Sequence, residues 1–342
     1  MNSCLAAERY GVIPLPFIPF SNTGGEALNN NGVVFGGIAN SDGSVSLAQW
    51  SKGVLTNLGV PPGLPSHDFN ILRVFGTNDG GAVVGTVHTS AGEIPSRWFI
   101  YDQGRFNVLP LADPTDRGGA AVGINNRGEV VGYDHTSSNR VTAWLWSNGT
   151  YSRLPVSGTS ATALGINAGG TIIGNRRFRF IRRLLTGQLR SKGELGYVVR
   201  HGKAQYLTGF VYAINELGEA AGGSVSEGQT MATVFKNGIA TVILSLPSHA
   251  VGINSAASVV GSYQPAGDSR RHLFRWSAHA GAFDLTPDGY ISAEGAAINS
   301  GGDILAFGET ASGKSGYFLL TPDPNGELTP KALMTAQSAS VR

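Results

Sequence analysis

The sequence predicts an all-β protein, a seven-bladed β-propeller of four-stranded antiparallel blades whose N-terminal strand completes the last blade. Three observations support this prediction: a phrase repeated seven times, a composition that suits strands and tight turns, and an extra strand at the N-terminus that matches a strand missing near the C-terminus. Repetition at a period of about 20 to 50 residues is typical of solenoids and propellers.

The repeated phrase has the form G-I-N-x-x-G-x-V-V-G, as in GINNRGEVVG from Gly123 and GINAGGTIIG from Gly165. Successive asparagines of the phrase are 49, 47, 42, 48, 39 and 45 residues apart, which is one propeller blade per copy. The seven repeated asparagines are Asn29, Asn78, Asn125, Asn167, Asn215, Asn254 and Asn299.

Each copy predicts four strands in a fixed order. Small and β-branched residues before the asparagine suit a first strand, and the V-V-G segment suits a returning second strand. Between them N-x-x-G predicts a hairpin turn, because asparagine hydrogen-bonds the nearby backbone and glycine accepts a positive φ. An aromatic segment such as WLWSNG then predicts the third strand, and a short segment such as YSRLP the fourth. No helical periodicity interrupts this order, which favours a propeller.

The two ends of the chain predict how the ring closes. The seventh copy reaches its third strand at residues 316–320 and then becomes proline-rich, whereas YGVIPLP at residues 10–16 has the pattern of an isolated fourth strand. Pairing these two segments would complete the blade and remove its open edges. We therefore predict one propeller domain over residues 1–329 and a disordered polar tail over residues 330–342. Two separate all-β domains are the alternative, but they leave the N-terminal strand without a partner.

Composition limits the classes of function. The chain is 41% hydrophobic and only 14% charged, and its net charge of +2 provides no overall attraction to nucleic acid or membranes. No apolar run approaches the roughly 20 residues that span a bilayer. The single cysteine, Cys4, excludes an intrachain disulfide. We expect a monomer without a membrane span, and nucleic acid is an unfavoured partner.

The N-terminus lacks the basic start and apolar segment of a secretory signal, which predicts a cytoplasmic location for the chain as written. If LAAE, at residues 5–8, is instead the remnant of a processed signal, an extracellular location is expected.

The repeated A-x-x-I-N-x-x-G-x-V-V-G phrase, followed by an aromatic W-x-x-G segment, resembles the HAF repeat family of bacterial, often extracellular proteins. The resemblance covers nearly all of residues 8–322. It implies a propeller-like repeat architecture. It implies no catalytic residue.

The stretch GETASGKS, residues 308–315, matches the phosphate-loop pattern G-x-x-x-x-G-K-[ST]. A phosphate loop must open a helix, whose N-terminal N–H groups hold the phosphates. Here GYFLL follows, which predicts a strand, and only 27 residues remain after Ser315. We interpret the stretch as a hairpin between the second and third strands of the last blade, and not as a nucleotide site.

Candidate catalytic residues follow from propeller geometry. Turns between the second and third strands share one face with the connections between blades, and five of the seven histidines fall on this face. A histidine–aspartate pair there would support proton transfer, although a solvated surface histidine is the alternative in each case. The candidate catalytic residues are His67, Asp113, Arg117, His249 and Tyr290. The candidate ligand-binding histidines are His88, His135 and His272.

A basic insertion in the fourth copy is the strongest local departure from the repeat. NRRFRFIRRLLTGQLRSK, residues 175–192, carries seven positive charges and no acid. It lies in a span of 28 residues between Gly174 and Gly202, where other copies have 16 to 20. Arginines at such density suit bidentate contacts with an anion, and the interleaved apolar residues also allow a membrane-surface or protein contact. The alternative is a solvated hairpin with its apolar residues packed against the blade. The candidate ligand-binding arginines are Arg176, Arg177, Arg179, Arg182 and Arg183.

These features favour a rigid binding platform for an anionic small molecule, a glycan or an acidic protein surface. The alternative is a small-molecule lyase, cyclase or isomerase with its acid–base residues at the mouth of the central channel. The sequence has no H-x-x-x-H or H-E-x-x-H spacing, no acidic calcium loop and no G-x-S-x-G elbow, so neither metal nor cofactor is expected.

Overall fold

A computed structural model shows seven β-sheets arranged as the blades of a propeller. It describes residues 9–17, 26–62, 70–89, 97–113, 115–138, 140–158, 160–184, 187–226 and 228–333, with the backbone alone for 70, 71, 88, 89 and 178–193.

The first four blades each consist of four consecutive antiparallel strands. Blade one contains β2 Ala27–Leu28, β3 Val34–Ala39, β4 Val45–Ser51 and β5 Val54–Gly59. Blade two contains β6 Asn70–Thr77, β7 Val83–Thr89, β8 Arg97–Asp102 and β9 Arg105–Val108. Blade three contains β10 Gly119–Ile124, β11 Val130–His135, β12 Val141–Ser147 and β13 Thr150–Arg153. Blade four contains β14 Ser160–Ile166, β15 Ile172–Leu184, β16 Gly187–Arg200 and β17 Lys203–Tyr206.

The last three blades join the two ends of the chain. Blade five contains β18 Phe210–Ile214, β19 Ala220–Ser226, β20 Gln229–Lys236 and β21 Ile239–Val242. Blade six contains β22 Ser248–Ile253, β23 Val259–Tyr263, β24 His272–Ser277, β25 Gly281–Asp284 and a fifth strand, β29 Lys331–Leu333. Blade seven contains β26 Tyr290–Ile298, β27 Ile304–Thr310, β28 Ser315–Pro322 and, as its outer strand, β1 Tyr10–Pro14.

The predicted ring closure is confirmed. Strand β1 pairs antiparallel with β28, from Tyr10 opposite Pro322 to Pro14 opposite Phe318. The N-terminal strand therefore supplies the fourth strand that the seventh copy lacks.

The prediction of disorder from residue 330 is wrong for Lys331–Leu333. These residues form β29, which pairs with the outer strand of blade six, Leu333 lying opposite Ala282. Leu333 also packs against the buried residues of blades five and six. A segment of three residues is too short to show a sequence periodicity. It is ordered here because the outer edge of β25 offers N–H and C=O groups with which it pairs. The rest of the predicted tail, 334–342, lies outside the described residues.

The repeated asparagines form the predicted hairpin turns. In Asn254, for example, Oδ1 accepts hydrogen bonds from the backbone N–H of Ala256 at 3.1 Å and of Ser258 at 2.9 Å. The glycine of the phrase has a positive φ, 76° at Gly128 and 77° at Gly170. In blade six Ala257 takes this position with a φ of 56°.

The same asparagines also form a closed ring of hydrogen bonds that the sequence did not predict. The Nδ2 of each one donates to the main-chain carbonyl of the repeated asparagine in the next blade, at 3.0 to 3.3 Å. Asn299 of blade seven completes the circuit by donating to Asn29 of blade one at 3.2 Å. Each side chain therefore shapes its own turn and connects two blades.

Replacing Asn254 with alanine is expected to lower the free energy of unfolding by about 2 to 4 kcal/mol, because the buried N–H of Ser258, the partly buried N–H of Ala256 and the buried carbonyl of Asn299 lose their partner. Asn254→Asp separates the two roles, since aspartate also forms such turns but has no N–H to donate. Urea unfolding should show both variants destabilised. An Asn254→Asp variant as stable as the wild type would mean that the ring of hydrogen bonds contributes nothing.

The glycine of V-V-G is required by the aromatic residue of the third strand. Gly132 lies directly opposite Trp144 in the sheet. A Cβ at Gly132 would lie 2.0 Å from the carbonyl oxygen of Ala120 and 2.6 Å from the Trp144 ring. The ring then packs between blades, where its centroid is 5.5 Å from that of Trp98 in blade two. The absence of a side chain at Gly132 therefore leaves the space that the Trp144 ring occupies.

The ring has two different faces. The N-x-x-G turns lie on one, and the connections between blades share the other with the turns between second and third strands; we call the latter the loop face. GETASGKS lies here as predicted, as the turn from β27 to β28, where the N–H of Thr310 donates to the carbonyl of Lys314 at 2.9 Å.

Candidate functional site

The candidate catalytic residues that the structure describes are divided between the connection before blade three, which contains Asp113 and Arg117, and blades six and seven. His67 lies outside the described residues. Asp113 is exposed in the connection before blade three, where the N–H and hydroxyl of Thr115 donate to its carboxylate and lower its pKa. His249 belongs to β22 in blade six, which is not a neighbour of blade three. The pair of His249 with Asp113 is therefore absent from the contacts between described residues.

Arg117 and Tyr290 also belong to separate surroundings. Arg117 is exposed and joined to His135 through the backbone, its N–H donating to the His135 carbonyl at 2.8 Å. Tyr290 packs on Phe318 within blade seven, with ring centroids 4.8 Å apart. Burial raises the pKa of Tyr290.

The candidate ligand-binding histidines also belong to different blades. His135 is exposed at the end of β11 and its ring lies edge-on to Tyr133. The backbone of His88 pairs with Ile71 in blade two, and its side chain lies outside the described part of the chain. Of the candidate residues that the structure describes, His272 alone shares blade six with His249.

His249 and His272 lie among several polar side chains. His249 Nε2 is 3.1 Å from the hydroxyl of Ser262. His272 is 3.4 Å from a carboxylate oxygen of Asp284 and 3.7 Å from one of Asp268. This part of the loop face encloses a cleft of about 280 Å³ between blades five and six. His249, one of the predicted site residues, lines this cleft.

Arg271 sets the electrostatics of this cleft. Its Nη1 lies 3.0 and 3.1 Å from the two ring nitrogens of His249. If Nη1 lay in the plane of the imidazole at equal distances from its two nitrogens, it would clash with the ring carbon between them. Nη1 therefore lies above the plane of the His249 ring. Burial, and then the charge of Arg271, lower the pKa of His249 to about 4. The imidazole is therefore neutral at physiological pH.

The basic insertion forms the longest hairpin of the described chain. Strands β15 and β16 have 13 and 14 residues and pair from Ile172 opposite Val199 to Leu184 opposite Gly187. This confirms that the inserted residues extend the turn between the second and third strands of blade four, on the loop face.

The register of this hairpin divides the charged residues between its two faces, because directly opposed residues share a face. One face, which we call the basic face, carries five cations and one acid among its eight register positions; these positions are Arg177, Arg179, Ile181, Arg183, Gln188, Arg190, Lys192 and Glu194. The other face carries five large apolar residues and two arginines among its ten register positions; these seven are Arg176, Phe178, Phe180, Arg182, Leu184, Leu189 and Leu195.

Of the five predicted arginines, Arg176 and Arg177 have described side chains, and both have partners within the protein. Arg176 lies over the ring of Tyr206, 3.8 Å from its centroid, and donates to the carbonyl of Ser157 at 2.9 Å. Arg177 is 3.9 Å from the carboxylate of Glu194, and both side chains are exposed. Arg176 therefore anchors the base of the hairpin, and Arg179, Arg182 and Arg183 lie further along it.

Two of the buried acids have strongly raised pKa values, and neither was predicted. Burial raises the pKa of Glu26 to about 8, and the hydroxyl of Tyr317 offsets only part of this effect. Burial also raises the pKa of Asp134 to about 7, with a further contribution from the neighbouring Asp116. Neither acid follows a motif. Glu26 is followed by Ala27, and Asp134 lies between Tyr133 and His135, so the two share no sequence pattern.

Arg271 and Ser262 were also missed as site residues. Arg271 immediately precedes the predicted His272, so its position in the same turn was available from the sequence. The described residues contain no group of three or more histidine, cysteine or acidic side chains placed to hold a metal ion. In the same part of the chain, no helix has the length and apolar character needed to cross a bilayer.

No protein-family model matches this sequence, and no curated protein does so. Solved structures resemble it at low identity. The β-propeller domain of the Trilobed protease from Pyrococcus furiosus, whose topology is described as an open velcro, is 10% identical with a TM-score of 0.61, over 95% of this chain and 96% of that one.

A chain of the mitotic checkpoint complex is 10% identical with a TM-score of 0.55, over 94% of this chain and 97% of that one. The acylaminoacyl peptidase of Pyrococcus horikoshii is 12% identical with a TM-score of 0.55, over 86% of this chain and 50% of that one. At such identities the likeness shows the fold alone, so the chain is a seven-bladed β-propeller.

Proposed function

We propose that this protein is a rigid binding platform that recognises an extended polyanion on its loop face, through the basic face of the blade-four hairpin. The observation that supports this proposal is the register of β15 and β16, which places Arg177, Arg179, Arg183, Arg190 and Lys192 on one face with the single acid Glu194.

Cations at this density favour an anionic partner. Like charges on one face of a sheet repel one another, and an anion that bridges them relieves the repulsion. Alternate residues along a strand are about 6.6 Å apart, so an extended polyanion can meet several of these positions in turn. Arginine adds bidentate hydrogen bonds to carboxylate, sulfate or phosphate.

The rigid base supports this role. Arg176 is held by Tyr206 and Ser157, so the hairpin starts from a fixed point on blade four. The remaining charged residues extend along the paired backbone of β15 and β16. Less conformational entropy is then lost on binding.

We expect the protein to bind immobilised heparin and poly-glutamate at low ionic strength, with affinity falling as salt rises from about 50 to 300 mM, because salt screens exposed charges. Arg179→Ser/Arg183→Ser should weaken binding about tenfold or more, as two charge-assisted contacts are lost. Surface plasmon resonance measures both effects, and the two probes distinguish a glycan from an acidic protein as partner.

The matched control removes two exposed cations from the face of the ring that carries the N-x-x-G turns. These are Arg105 and Lys203, which begin β9 and β17. The Arg105→Ser/Lys203→Ser variant should bind both probes within about twofold of the wild type, since these charges lie away from the hairpin. Equal losses in the two double variants would show that net charge alone is responsible, and the proposal would fail. Absence of binding at low salt would also refute it.

We further propose that the protein is a monomeric member of the HAF repeat family. The repeated I-N-x-x-G-x-V-V-G phrase supports the family assignment. Completion of blade seven by β1 supports a monomer, because this edge needs no second copy to cover it. Light scattering coupled to size exclusion tests the oligomeric state.

A further inference from the structure

The cleft between blades five and six is separate from the hairpin and has its own chemistry. Its lining comes from the turns between second and third strands of both blades and from the connection between them; it includes Gln229, Thr230, His249, Ser262, Gln264 and Arg271. The volume of about 280 Å³ is close to the lower end of the roughly 300–1,000 Å³ typical of small-molecule sites. A compact polar molecule therefore fits it best.

Arg271 is the charged group of the cleft. The side-chain hydrogen bonds and ion pair of Arg271 with described residues all involve Nη1, which contacts the ring nitrogens of His249 and lies 3.6 Å from the carboxylate of Glu294. Nε and Nη2 are thus left for a ligand within this part of the chain. The Arg271 side chain is 50% exposed and that of Glu294 is 37% exposed, so their ion pair is weak.

The other lining groups suit hydroxyls. Ser262 is buried, and its hydroxyl is held 3.1 Å from His249 Nε2. His249 itself is neutral, so its ring adds a hydrogen-bonding group and no second charge. Gln264 donates through Nε2 to the carbonyl of Asp268 at 2.9 Å, which fixes its amide and leaves Oε1 as an acceptor. One cation surrounded by neutral donors and acceptors matches a molecule with one carboxylate and several hydroxyls.

We propose that this cleft binds a small hydroxylated carboxylate of the size of one sugar acid, with the carboxylate on Arg271 and the hydroxyls on the serine, threonine and glutamine side chains. The proposal shares the loop face with the proposed function, but it depends on different residues. Glu294 is the acid that competes with the ligand for Arg271.

The test uses the full chain with D-glucuronate as probe and D-glucose as the neutral sugar of the same ring, measured by saturation-transfer NMR and calorimetry. Glucuronate should bind at millimolar concentration and glucose should not. Arg271→Gln should weaken glucuronate binding about tenfold or more, because it removes the charge that pairs with the carboxylate. Glu294→Gln should strengthen binding several-fold, since the competing acid is gone.

Arg270→Gln is the matched control. Arg270 is the neighbouring arginine, but it pairs with Asp268 at 3.1 Å and does not line the cleft, so the variant should bind glucuronate like the wild type. The Arg179→Ser/Arg183→Ser variant should also bind normally, which separates this site from the hairpin. Glucuronate that fails to bind the wild type, glucose that binds equally well, or an Arg271→Gln variant with unchanged affinity would each overturn the proposal.

Discussion

Replacing Tyr10 with alanine is expected to lower the free energy of unfolding by about 3 to 5 kcal/mol, the cost typical of removing a large buried aromatic side chain. Tyr10 begins the N-terminal strand and is fully buried. It packs with residues of blades six and seven, among them Leu285 and Phe318. Its loss therefore weakens the contact that closes the ring.

Polar contacts add to this packing. Arg275 Nη1 of blade six donates to the Tyr10 hydroxyl at 2.5 Å. The backbone of Tyr10 exchanges two hydrogen bonds with Leu328, at 3.1 and 3.0 Å. The N-terminal strand is thus held between β28 and the segment that follows it. A Tyr10→Phe variant keeps the ring and loses only the hydroxyl, so its expected cost is about 1 to 3 kcal/mol.

Urea unfolding followed by tryptophan fluorescence measures these differences. Leu217→Ala is the control, because Leu217 is 68% exposed and its truncation should change stability by less than about 0.5 kcal/mol. If Tyr10→Ala unfolds at the same urea concentration as Leu217→Ala, closure by the N-terminal strand does not stabilise the propeller.

Replacing Glu26 with glutamine is expected to remove a large part of the loss of stability at alkaline pH. The pKa of Glu26 is raised from 4.5 to about 8 in the folded protein, so the folded state holds a proton that the unfolded state releases. Its contribution to stability is therefore complete below pH 4.5 and is lost as pH rises through 8. Linkage makes this loss on the order of 3 to 5 kcal/mol by pH 9.

The measurement is the free energy of unfolding of wild type and Glu26→Gln between pH 5 and 9. The two proteins should be similar near pH 5, where the carboxyl is protonated, and the variant should be the more stable at pH 9. Asp134, with a raised pKa of about 7, adds a dependence of the same sign, and it is present in both proteins. Parallel curves across this range would show that Glu26 ionises normally.

Much of the fold was predictable because its signals are local. The N-x-x-G turn depends on a side chain that bonds the backbone two and four residues later and on a glycine with positive φ, as at Gly128. The same local signals correctly assigned GETASGKS to a hairpin and the basic insertion to an extended one. The closure by β1 was predicted because a missing strand and an extra strand had to match.

The site was less predictable because it depends on partners far apart in the sequence. His249 was chosen for its position on the loop face, but its neighbour Arg271 is 22 residues away and was not chosen. The five predicted arginines looked equivalent. The register of β15 and β16 divides them between the two faces of the hairpin. It places Arg182 on the face opposite Arg177, Arg179 and Arg183.

The number of blades follows from the number of repeats in the sequence, and the strand order and the turns are encoded within one repeat of about 45 residues. The contacts between repeats depend instead on how the blades pack: these are the ring of asparagine side chains, the strand that Lys331–Leu333 adds to blade six, and the cleft around Arg271. The neighbours of a residue along the chain are fixed by the sequence, whereas its contacts with distant residues depend on how the chain folds. The packing of the blades into a closed ring determines which donor pairs with which carbonyl and which acid is buried away from solvent.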